Sequence, residues 1–435
     1  MTHVGHTARP SAPPSVLWIA RKLEDAGHDT WAVGGAVRDV LLGRPSGDWD
    51  LATRARPEDV QRLFRRTVPL GIEHGTVGVL KDGTLYEVTT FRRDVETDGR
   101  HAVVAFADTI EEDLGRRDFT INAVAWHPLR EELRDPFGGL ADMERRVLRT
   151  VGRAEERFRE DYLRILRALR FAGLFDLEIE AATWISLRGL VGHLTSLSAE
   201  RIRDELVKVL DADVSPGRSL GLYADSGALG VLYPELEALR DSPAPKGEAD
   251  RWALSVATVE ELPRGRPLMR VAALVRELAP EDAAALLLRL RFSNAQIDET
   301  AYRAKAAALP EPSAEPSAYR RWLSRSGPER LAALARLDLA RARAERRVGR
   351  HDRVESVVAS WRTARKVRAS APPLAVGDLA LDGRALIGLG LKPGPHFGRI
   401  LDGLLDWVLE DPVRNRRELL AERALELARI EVAGG

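Results

Sequence analysis

Two aspartates separated by one residue are the strongest candidates for chemistry in this sequence. Asp48 and Asp50 flank Trp49 in a stretch that is predicted to be a strand, so alternation would place both carboxylates on one face. Two like charges so close together are costly unless a cation lies between them. Mg²⁺ is the natural occupant, because it prefers oxygen ligands and bridges carboxylates to nucleotide phosphates. An Asp-x-Asp pair alone, however, is also common in solvated turns.

The segment before these aspartates supplies what a phosphate group needs. Thr30 to Val33 is predicted to be a short buried strand, after which Gly34 and Gly35 let the backbone turn sharply and approach a ligand. A helix predicted from Val37 to Leu42 would point its first N–H groups at an anion. Arg38 on this helix could hold a phosphate through two hydrogen bonds. Strand, glycine corner, basic helix and acidic pair together predict a nucleotide site.

The combination of Gly34-Gly35-Ala36-Val37-Arg38-Asp39 with Asp48-Trp49-Asp50 resembles the head domain of the polymerase-β-like nucleotidyltransferases. Within them it is similar to the bacterial (class II) tRNA nucleotidyltransferase and poly(A) polymerase family, which includes the CCA-adding enzymes. This resemblance is specific over about the first half of the chain. It implies an α+β fold, with a mixed-sheet head followed by a mostly helical neck, body and tail. It also implies that Asp48 and Asp50 hold two Mg²⁺ ions.

Glu87 is a candidate third carboxylate. It lies on a strand predicted from Thr84 to Phe91, the return of a hairpin that starts at Gly75 and turns at Asp82-Gly83. If this hairpin pairs beside the strand of Asp50, Glu87 could join the metal site. If it does not, Glu87 faces solvent, and the sequence leaves both possibilities open.

A basic motif, Arg116-Arg117-Asp118-Phe119-Thr120-Ile121-Asn122-Ala123, matches the same family closely. Asp118 is predicted to cap a helix that begins at Phe119. As a bare pair, Arg116 and Arg117 would more often lie on the surface. The resemblance implies instead that a bound nucleotide is contacted by Gly34, Gly35, Arg38, Arg117, Asp118 and Asn122.

The segment from Phe91 to Thr109 is polar and has little periodicity, so it is predicted to be a long loop. In the resembling family this region is the flexible loop associated with the switch to the final adenosine. It looks shortened in family members that add only cytidines. Its full length here argues against a cytidine-only enzyme.

A charged ridge recurs every third residue on a helix predicted from Phe158 to Phe171. In isolation such a ridge is more often a solvated face with ion pairs. The functional alternative rests on Asp161 and Arg164, because a carboxylate only accepts hydrogen bonds and a guanidinium only donates them. The two together can satisfy cytosine or adenine but not guanine or uracil. Unpaired buried groups cost about 1–3 kcal/mol each, so two mismatches would give on the order of hundredfold discrimination.

The resemblance favours this functional alternative. The family's Glu-Asp-x-x-Arg motif is present as Glu160-Asp161-Tyr162-Leu163-Arg164, which implies that Asp161 and Arg164 pair with the incoming base. Arg167 and Arg170 would then help to hold the base or its phosphates. The next family motif begins where Ser198 caps a helix, and it is predicted to be structural.

Composition bounds the remaining possibilities. The 435 residues carry 66 basic and 66 acidic side chains and no cysteine, so a nucleic-acid partner needs a local basic face and disulfides are excluded. No apolar run approaches membrane-spanning length. We expect a disordered leader at 1–14, the catalytic head at 15–150, the neck at 151–212, a body at 213–310 and a tRNA-binding tail at 311–435.

The second half carries weaker signals. Pro234 to Asp250 is predicted to be a loop, and Trp252 to Ala279 is predicted to be helical. No His-Asp pair occurs in Ala272 to Leu278, so no second, phosphohydrolase activity is expected. Arg320 to Lys366 is helical and rich in arginine, for which a solvated face is the default and a stripe contacting tRNA phosphates the alternative. Gly388 to Pro395 is predicted to be a tight turn before a helix.

The expected function is template-independent addition of C and A from CTP and ATP to the 3′ end of tRNA, by a cytoplasmic enzyme that contacts the 3′ end and the acceptor and TΨC region. An enzyme that adds only the terminal A and a poly(A) polymerase remain alternatives. A catalytically inactive RNA-binding relative is a further alternative, disfavoured because both aspartates and the Asp161/Arg164 pair are retained. The sequence predicts neither the oligomeric state nor how addition stops after three nucleotides.

Overall fold

The structure, a computed structural model, describes residues 10–97, 102–212, 215–241, 250–350 and 352–433. The chain divides into two compact units, 1–234 and 235–435. Most of the predicted leader, residues 1–9, lies outside the described residues, and the first helix begins at Pro14. The predicted division into head, neck, body and tail is finer than this division and stays a prediction.

The first unit contains all the strands of the described chain. They are β1 (Thr30–Val33), β2 (Asp50–Thr53), β3 (Thr67–Pro69), β4 (Thr76–Lys81), β5 (Thr84–Thr90), β6 (Arg92–Thr97), β7 (Ala102–Phe106), β8 (Ala125–His127), β9 (Glu132–Arg134), β10 (Val147–Leu148) and β11 (Glu178–Ile179). Seven of them form one sheet in the order β3-β4-β5-β2-β1-β8-β9. In this sheet β2 and β5 are parallel and the other neighbours are antiparallel, so the predicted mixed sheet is confirmed.

Helices surround this sheet and continue into the neck. They are α1 (Pro14–Asp25), α2 (Gly35–Leu41), α3 (Pro57–Leu63), α4 (Ile110–Gly115), α5 (Gly139–Glu144), α6 (Ala154–Glu160), α7 (Leu163–Phe175), α8 (Ala181–Leu190), α9 (Ala199–Asp211), α10 (Gly217–Ser226) and α11 (Ala228–Leu232). Apolar residues recur at helical spacing along α1, where Val16, Ile19 and Leu23 are buried. α1 therefore packs on β1 and α3 and closes one face of the sheet.

The strand register aligns one row of residues across five strands. Val33 pairs with Asp50, Glu87 with Gly78, and Gly78 with Val68. Because Leu51 pairs with Val88 in parallel, Asp50 lies beside Glu87. Paired residues share a face of a sheet, so this row puts the two carboxylates side by side. The hairpin carrying Glu87 therefore does pair beside the strand of Asp50, a point that the sequence left open.

Several local predictions were wrong. The segment predicted as a loop from Phe91 to Thr109 contains the antiparallel pair β6 and β7, since its valines and phenylalanines favour strands despite the polar composition. Asp118 does not cap an α-helix, because the residues after Phe119 form only a 3₁₀ turn, Thr120–Asn122.

The described chain from Pro234 onward is mostly helical, which agrees with the predicted fold class although a loop was predicted at its start. Its helices are α12 (Pro234–Asp241), α13 (Arg251–Glu260), α14 (Pro267–Leu274), α15 (Pro280–Arg289), α16 (Asn294–Lys305), α17 (Pro316–Ser326), α18 (Leu331–Arg347), α19 (Val354–Ala369), α20 (Gly383–Gly388), α21 (His396–Glu410) and α22 (Arg417–Ala433). α12 corrects the loop predicted from Pro234, because Pro is tolerated at a helix start and the following Glu, Leu and Ala are strong helix formers. Among the described residues, no helix is both long and apolar enough to cross a membrane.

Arginines of the second unit form ion pairs within the unit. Arg341 contacts Glu277 and donates to Glu345 at 3.0 Å, and Arg353 donates to Glu345 at 3.0 Å. These pairs agree with the default interpretation of the arginine-rich helices, and contact between any of these arginines and tRNA stays a prediction. The turn predicted before α21 is confirmed, since that helix begins at His396.

Candidate active site

A cavity of about 680 Å³ opens on the sheet where β1 and β2 meet the neck helices. The glycine corner forms one wall. Gly34 has a φ of +76°, a conformation that side chains other than glycine rarely adopt. A Cβ atom on Gly34 would lie 3.4 Å from Nη1 of Arg117 and 3.5 Å from Oδ2 of Asp50. Gly34 therefore lies between the Arg117 guanidinium and the Asp50 carboxylate. The strand and the helix predicted on either side of the glycine corner are confirmed as β1 and α2.

Two carboxylates, those of Asp50 and Glu87, line the cavity beside this corner, and Asp48 lies nearby in sequence. Asp50 is the first residue of β2, Glu87 lies next to it on β5, and Asp48 is exposed in the loop before β2 rather than on the strand. Trp49 between the aspartates is buried against Trp126, with ring centroids 5.9 Å apart. Burial raises the pKa of Asp50 to about 6, and the charges of Glu87 and Asp48 add to the shift while Arg117 opposes it. In the described chain no N–H or O–H group donates to Asp48, Asp50 or Glu87.

We call Asp48, Asp50 and Glu87 the Asp50 group. Because no described residue donates a hydrogen bond to these carboxylates, they are suited to a divalent cation. The oxygen atoms of the group are the hard ligands that Mg²⁺ takes. Its negative charge is left uncompensated by hydrogen bonds, and a cation would supply the missing charge. Asp48 and Asp50 are the residues that would hold it, and Glu87 lies beside Asp50 in the register of β2 and β5.

The basic motif lines the wall behind Gly34. Asp113, almost fully buried, accepts from both Arg116 and Arg117 at 3.1 Å. Burial alone would raise the pKa of Asp113, but the two arginines outweigh burial and lower it. The Nε atom of Arg117 is buried and has no hydrogen-bond partner among the described residues. Arg117, which lines the cavity, is therefore held in place by its terminal nitrogen atoms.

Arg38 is buried instead of standing free to grip a phosphate. Its guanidinium donates to Asp39 and, at 2.7 Å, to Oδ1 of Asn122. It also stacks on Phe175, 4.5 Å from the ring centroid. Asn122 in turn donates to Asp118 at 2.8 Å. Arg38, Asn122 and Asp118 thus form one hydrogen-bonded chain that borders the cavity.

Asp161 and Arg164 do not lie on one helix, which corrects the helix predicted from Phe158 to Phe171. α6 ends at Glu160, Asp161 has an extended backbone, and α7 begins at Leu163. Oδ1 of Asp161 accepts from the Leu163 N–H at 3.0 Å, an aspartate–backbone bond of the kind that competes with a continuous helix. Arg164 contacts Glu160 and donates to the Arg116 carbonyl at 3.1 Å. Asp161 and Arg164 nevertheless both line the cavity.

Arg201 is the site residue that the sequence did not reveal. It lies on α9, the helix predicted to be structural, and its guanidinium donates to Oδ2 of Asp161 at 2.7 Å. Together with the Leu163 N–H, this contact fixes both oxygens of the Asp161 carboxylate. The two residues are 40 positions apart, so no local spacing could have shown the pair. Ser198 does cap α9, as predicted.

Arg167 and Arg170 are paired with acids where they border the cavity. Arg167 donates to Asp118 at 2.7 Å, and buried Arg170 donates to Glu205 at 2.7 Å. Burial would raise the pKa of Asp118, but Arg167, the hydrogen bond from Asn122 and the charge of Arg164 together outweigh burial and lower it. The Arg167 contact joins the neck helix α7 to the head, because Asp118 belongs to the basic motif.

A second group of ligand-type side chains lies at the other end of β1. Oxygen and nitrogen atoms of Glu24, Asp29 and His127 come within 4.8 Å of one another, a set found among the described residues at this one place. We call this set the His127 group. Glu24 accepts from the Thr30 N–H at 2.6 Å, and Asp29 accepts from the Trp31 ring at 2.6 Å. Unlike the Asp50 group, it was not singled out by the sequence.

Comparisons with known proteins agree with this geometry. The family description "Poly A polymerase head domain" matches residues 30–149, and "Probable RNA and SrmB- binding site of polymerase A" matches 176–239. The CCA-adding enzyme of Geobacillus thermodenitrificans is 35% identical over 96% of this chain and 98% of its own.

Solved structures of similar proteins share the fold of this chain. The Bacillus stearothermophilus CCA-adding enzyme in complex with CTP is 33% identical, with a TM-score of 0.76 over 98% of this chain and 100% of its own. The Thermotoga maritima CCA-adding enzyme complexed with tRNA has a TM-score of 0.59 at 22% identity over 96% of each chain, which shows the fold alone. The chain therefore belongs to the family of CCA-adding enzymes.

Proposed function

We propose that this protein adds C and A nucleotides from CTP and ATP to the 3′ end of tRNA without a template, releasing pyrophosphate. The observation that carries the proposal is that one cavity brings together the glycine corner, the carboxylates of β2 and β5, and the Asp161/Arg164 pair. Relatives that match nearly the whole chain are CCA-adding enzymes, which favours this function over A-only addition, poly(A) synthesis and an inactive binding module.

Nucleotidyltransferases generally use divalent cations, and we propose Mg²⁺ here, held by Asp48 and Asp50 with Glu87 beside them. When bound, such cations lower the pKa of the terminal ribose hydroxyl and neutralise charge on the triphosphate and the departing pyrophosphate. The donor set supports this assignment, because it is all oxygen and the pKa of Asp50 is raised by burial and by its acidic neighbours.

The residues of the chain position the two reactants. The glycine corner and Arg117 hold the triphosphate, and the hydrogen-bonded chain of Asp118, Asn122 and Arg38 supports the nucleotide from behind. The terminal ribose oxygen of the RNA loses its proton and forms a bond to the α-phosphorus, while the bond from that phosphorus to the pyrophosphate oxygen breaks. Because the groups that hold the triphosphate are fixed before binding, little reorganisation is needed.

Base choice rests on Asp161 and Arg164, with Arg167 and Arg170 completing the neck side of the pocket. Arg201 holds the Asp161 carboxylate at 2.7 Å, so the acceptor that faces the base keeps one orientation. Cytosine and adenine both offer an amine beside a ring acceptor and can satisfy this pair. Guanine and uracil would leave buried groups unpaired. We place the enzyme in the cytoplasm, where tRNA and nucleoside triphosphates are found.

The direct test incubates the full chain with Mg²⁺ and labelled CTP or ATP, on tRNA ending before CCA, after CC, or complete. We expect C on the shortest tRNA, A on the tRNA ending in CC, and nothing on the complete tRNA. Addition of A alone would indicate an A-adding enzyme, and long A tracts a poly(A) polymerase. No incorporation on any tRNA would overturn the proposal.

Arg164→Ala tests the base-reading pair. Discrimination of CTP and ATP against UTP and GTP should fall by roughly tenfold to a hundredfold, whereas tRNA binding should change little. Arg159→Ala is a matched control, because Arg159 is exposed on α6 and, within the described part of the chain, pairs only with Glu155. Unchanged discrimination in Arg164→Ala would show that Arg164 does not read bases.

A further inference from the structure

An exposed apolar surface continues the sheet beyond Glu87. Val68, Leu70 and Leu85 are 39%, 40% and 40% exposed, and they surround Gly78, which pairs with both Glu87 and Val68. We call these three side chains and Gly78 the apolar strip. A Cβ atom at Gly78 would lie 2.9 Å from the Cδ1 atoms of both Leu70 and Leu85, so the two leucines close over the glycine.

The strip is unusual for its position. Alternation along β5 buries Tyr86 and Val88 on the opposite face, so Leu85 and Glu87 share the open face. Val68 lies on β3, an edge strand that also carries Pro69, and this proline limits pairing with another chain. Exposed apolar side chains that cluster beside polar groups typically mark a binding surface.

The position of the apolar strip in the row across the sheet indicates its role in the reaction. From β1 to β3 it runs from Val33 through Asp50, Glu87 and Gly78 to Val68. The glycine corner follows Val33, so the triphosphate lies at the β1 end of the row. In an in-line displacement the attacking and leaving oxygens lie on opposite sides of the phosphorus. The attacking hydroxyl must therefore approach from the β5 and β3 side, where the strip lies.

We infer that the apolar strip is the acceptor subsite, where the base of the last nucleotide of the RNA packs so that its ribose hydroxyl faces the Asp50 group. This inference rests on the proposed function. Aliphatic side chains contact a base through its flat face and carry no hydrogen-bond preference. The strip therefore accepts whichever base ends the RNA, which a growing 3′ end requires because its last base changes with each addition. Selection stays with Asp161 and Arg164, which line the cavity.

The test compares a Leu70→Ser, Leu85→Ser double variant with Leu133→Ser. Leu133 is a matched control, since it is 37% exposed on β9 at the other edge of the same sheet. With tRNA varied at saturating CTP, kcat/KM for tRNA should fall roughly three- to tenfold in the double variant, as expected for losing partial burial of two leucines. KM for CTP should stay unchanged, the control should match the wild type, and Leu70→Met, Leu85→Met should retain activity.

Photocrosslinking gives a second measurement that does not depend on activity. A tRNA with a photoreactive terminal base should crosslink to the peptides that contain residues 68–70 or 85. Failure of the wild-type protein to extend any tRNA would overturn the proposed function itself. Wild-type activity with an unchanged kcat/KM for tRNA in the double variant would overturn the inference alone, as would an equal rise in KM for CTP or crosslinks confined to other peptides.

Discussion

The Asp50 group and the His127 group lie at the two ends of β1, and they differ in how their charges are satisfied. In the His127 group every acid has donors: Arg130 lies 3.1 Å from Asp29 and 3.5 Å from Glu24, in addition to the bonds from Thr30 and Trp31. In the Asp50 group no described residue donates to the carboxylates, and the pKa of Asp50 rises to about 6 through burial and acidic neighbours.

The comparison shows that closeness of ligand atoms does not by itself identify a metal site. Nδ1 of His127 accepts from the N–H groups of Leu129 and Arg130, so the proton of the neutral ring is on Nε2 and points to Glu24 at 3.1 Å. A cation would have to displace that proton and lie beside Arg130. The tighter group is thus a completed hydrogen-bond network, and the looser one retains the uncompensated charge that a cation would neutralise.

The largest difference should appear in activity. Asp50→Asn removes a charge that holds the cations, so CTP incorporation should fall by about a thousandfold or more. Glu24→Gln changes the other group and should leave the rate per folded molecule within about twofold. Single-turnover incorporation on tRNA ending before CCA measures both. Comparable losses of activity in the two variants would contradict the assignment of the cations to the Asp50 group.

Metal-directed cleavage should locate the cation directly. With Fe²⁺ in place of Mg²⁺ and peroxide added, hydroxyl radicals should cut the backbone near residues 48–50 and 87. Excess Mg²⁺ should reduce these cuts at least about tenfold, because it displaces Fe²⁺ from the site. Asp50→Asn should reduce them to a similar extent, because it weakens binding of the ion. Cuts near Glu24, Asp29 or His127 would instead assign the ion to the His127 group.

Stability should change in opposite directions in the two groups. Without metal, Asp50→Asn relieves a desolvated carboxylate beside two others, and the head should become more stable by about 1–3 kcal/mol near pH 8. Glu24→Gln leaves Arg130 and His127 with a weaker partner and should cost about 1–3 kcal/mol. Hydrogen exchange of β1 and β2 amides in EDTA reports both values. Destabilisation by Asp50→Asn would show that the carboxylate is satisfied after all.

The parts of the site that the sequence predicted depend on short spacings. The glycine corner and the acidic pair lie within 17 consecutive residues, where strand alternation and turn chemistry decide the outcome. The position of Glu87 was left open, because only strand pairing could settle it. The His127 group joins residues about a hundred positions apart, and the Asp161–Arg201 pair spans 40, so tertiary packing alone creates them. The break before Leu163 escaped prediction because a charged residue at every third position also fits an unbroken helix, and this spacing does not show that Asp161 bonds to the Leu163 N–H.

The smallest effect concerns the pH dependence contributed by His127. Burial and the charge of Arg130 lower its pKa below the ordinary 6.5, against the opposing charge of Glu24. Near that pH the unfolded chain therefore binds more protons than the folded one, so stability is complete above about pH 6.5 and is lost as the pH falls through the folded pKa. Between about pH 7.5 and pH 5.5, His127→Gln should therefore reduce this loss of stability. His74→Gln is the control, because the His74 side chain is 64% exposed and should leave the slope unchanged. An equal slope in wild type and His127→Gln, measured by hydrogen exchange of β8 amides, would mean that the ring of His127 does not sense pH within the fold.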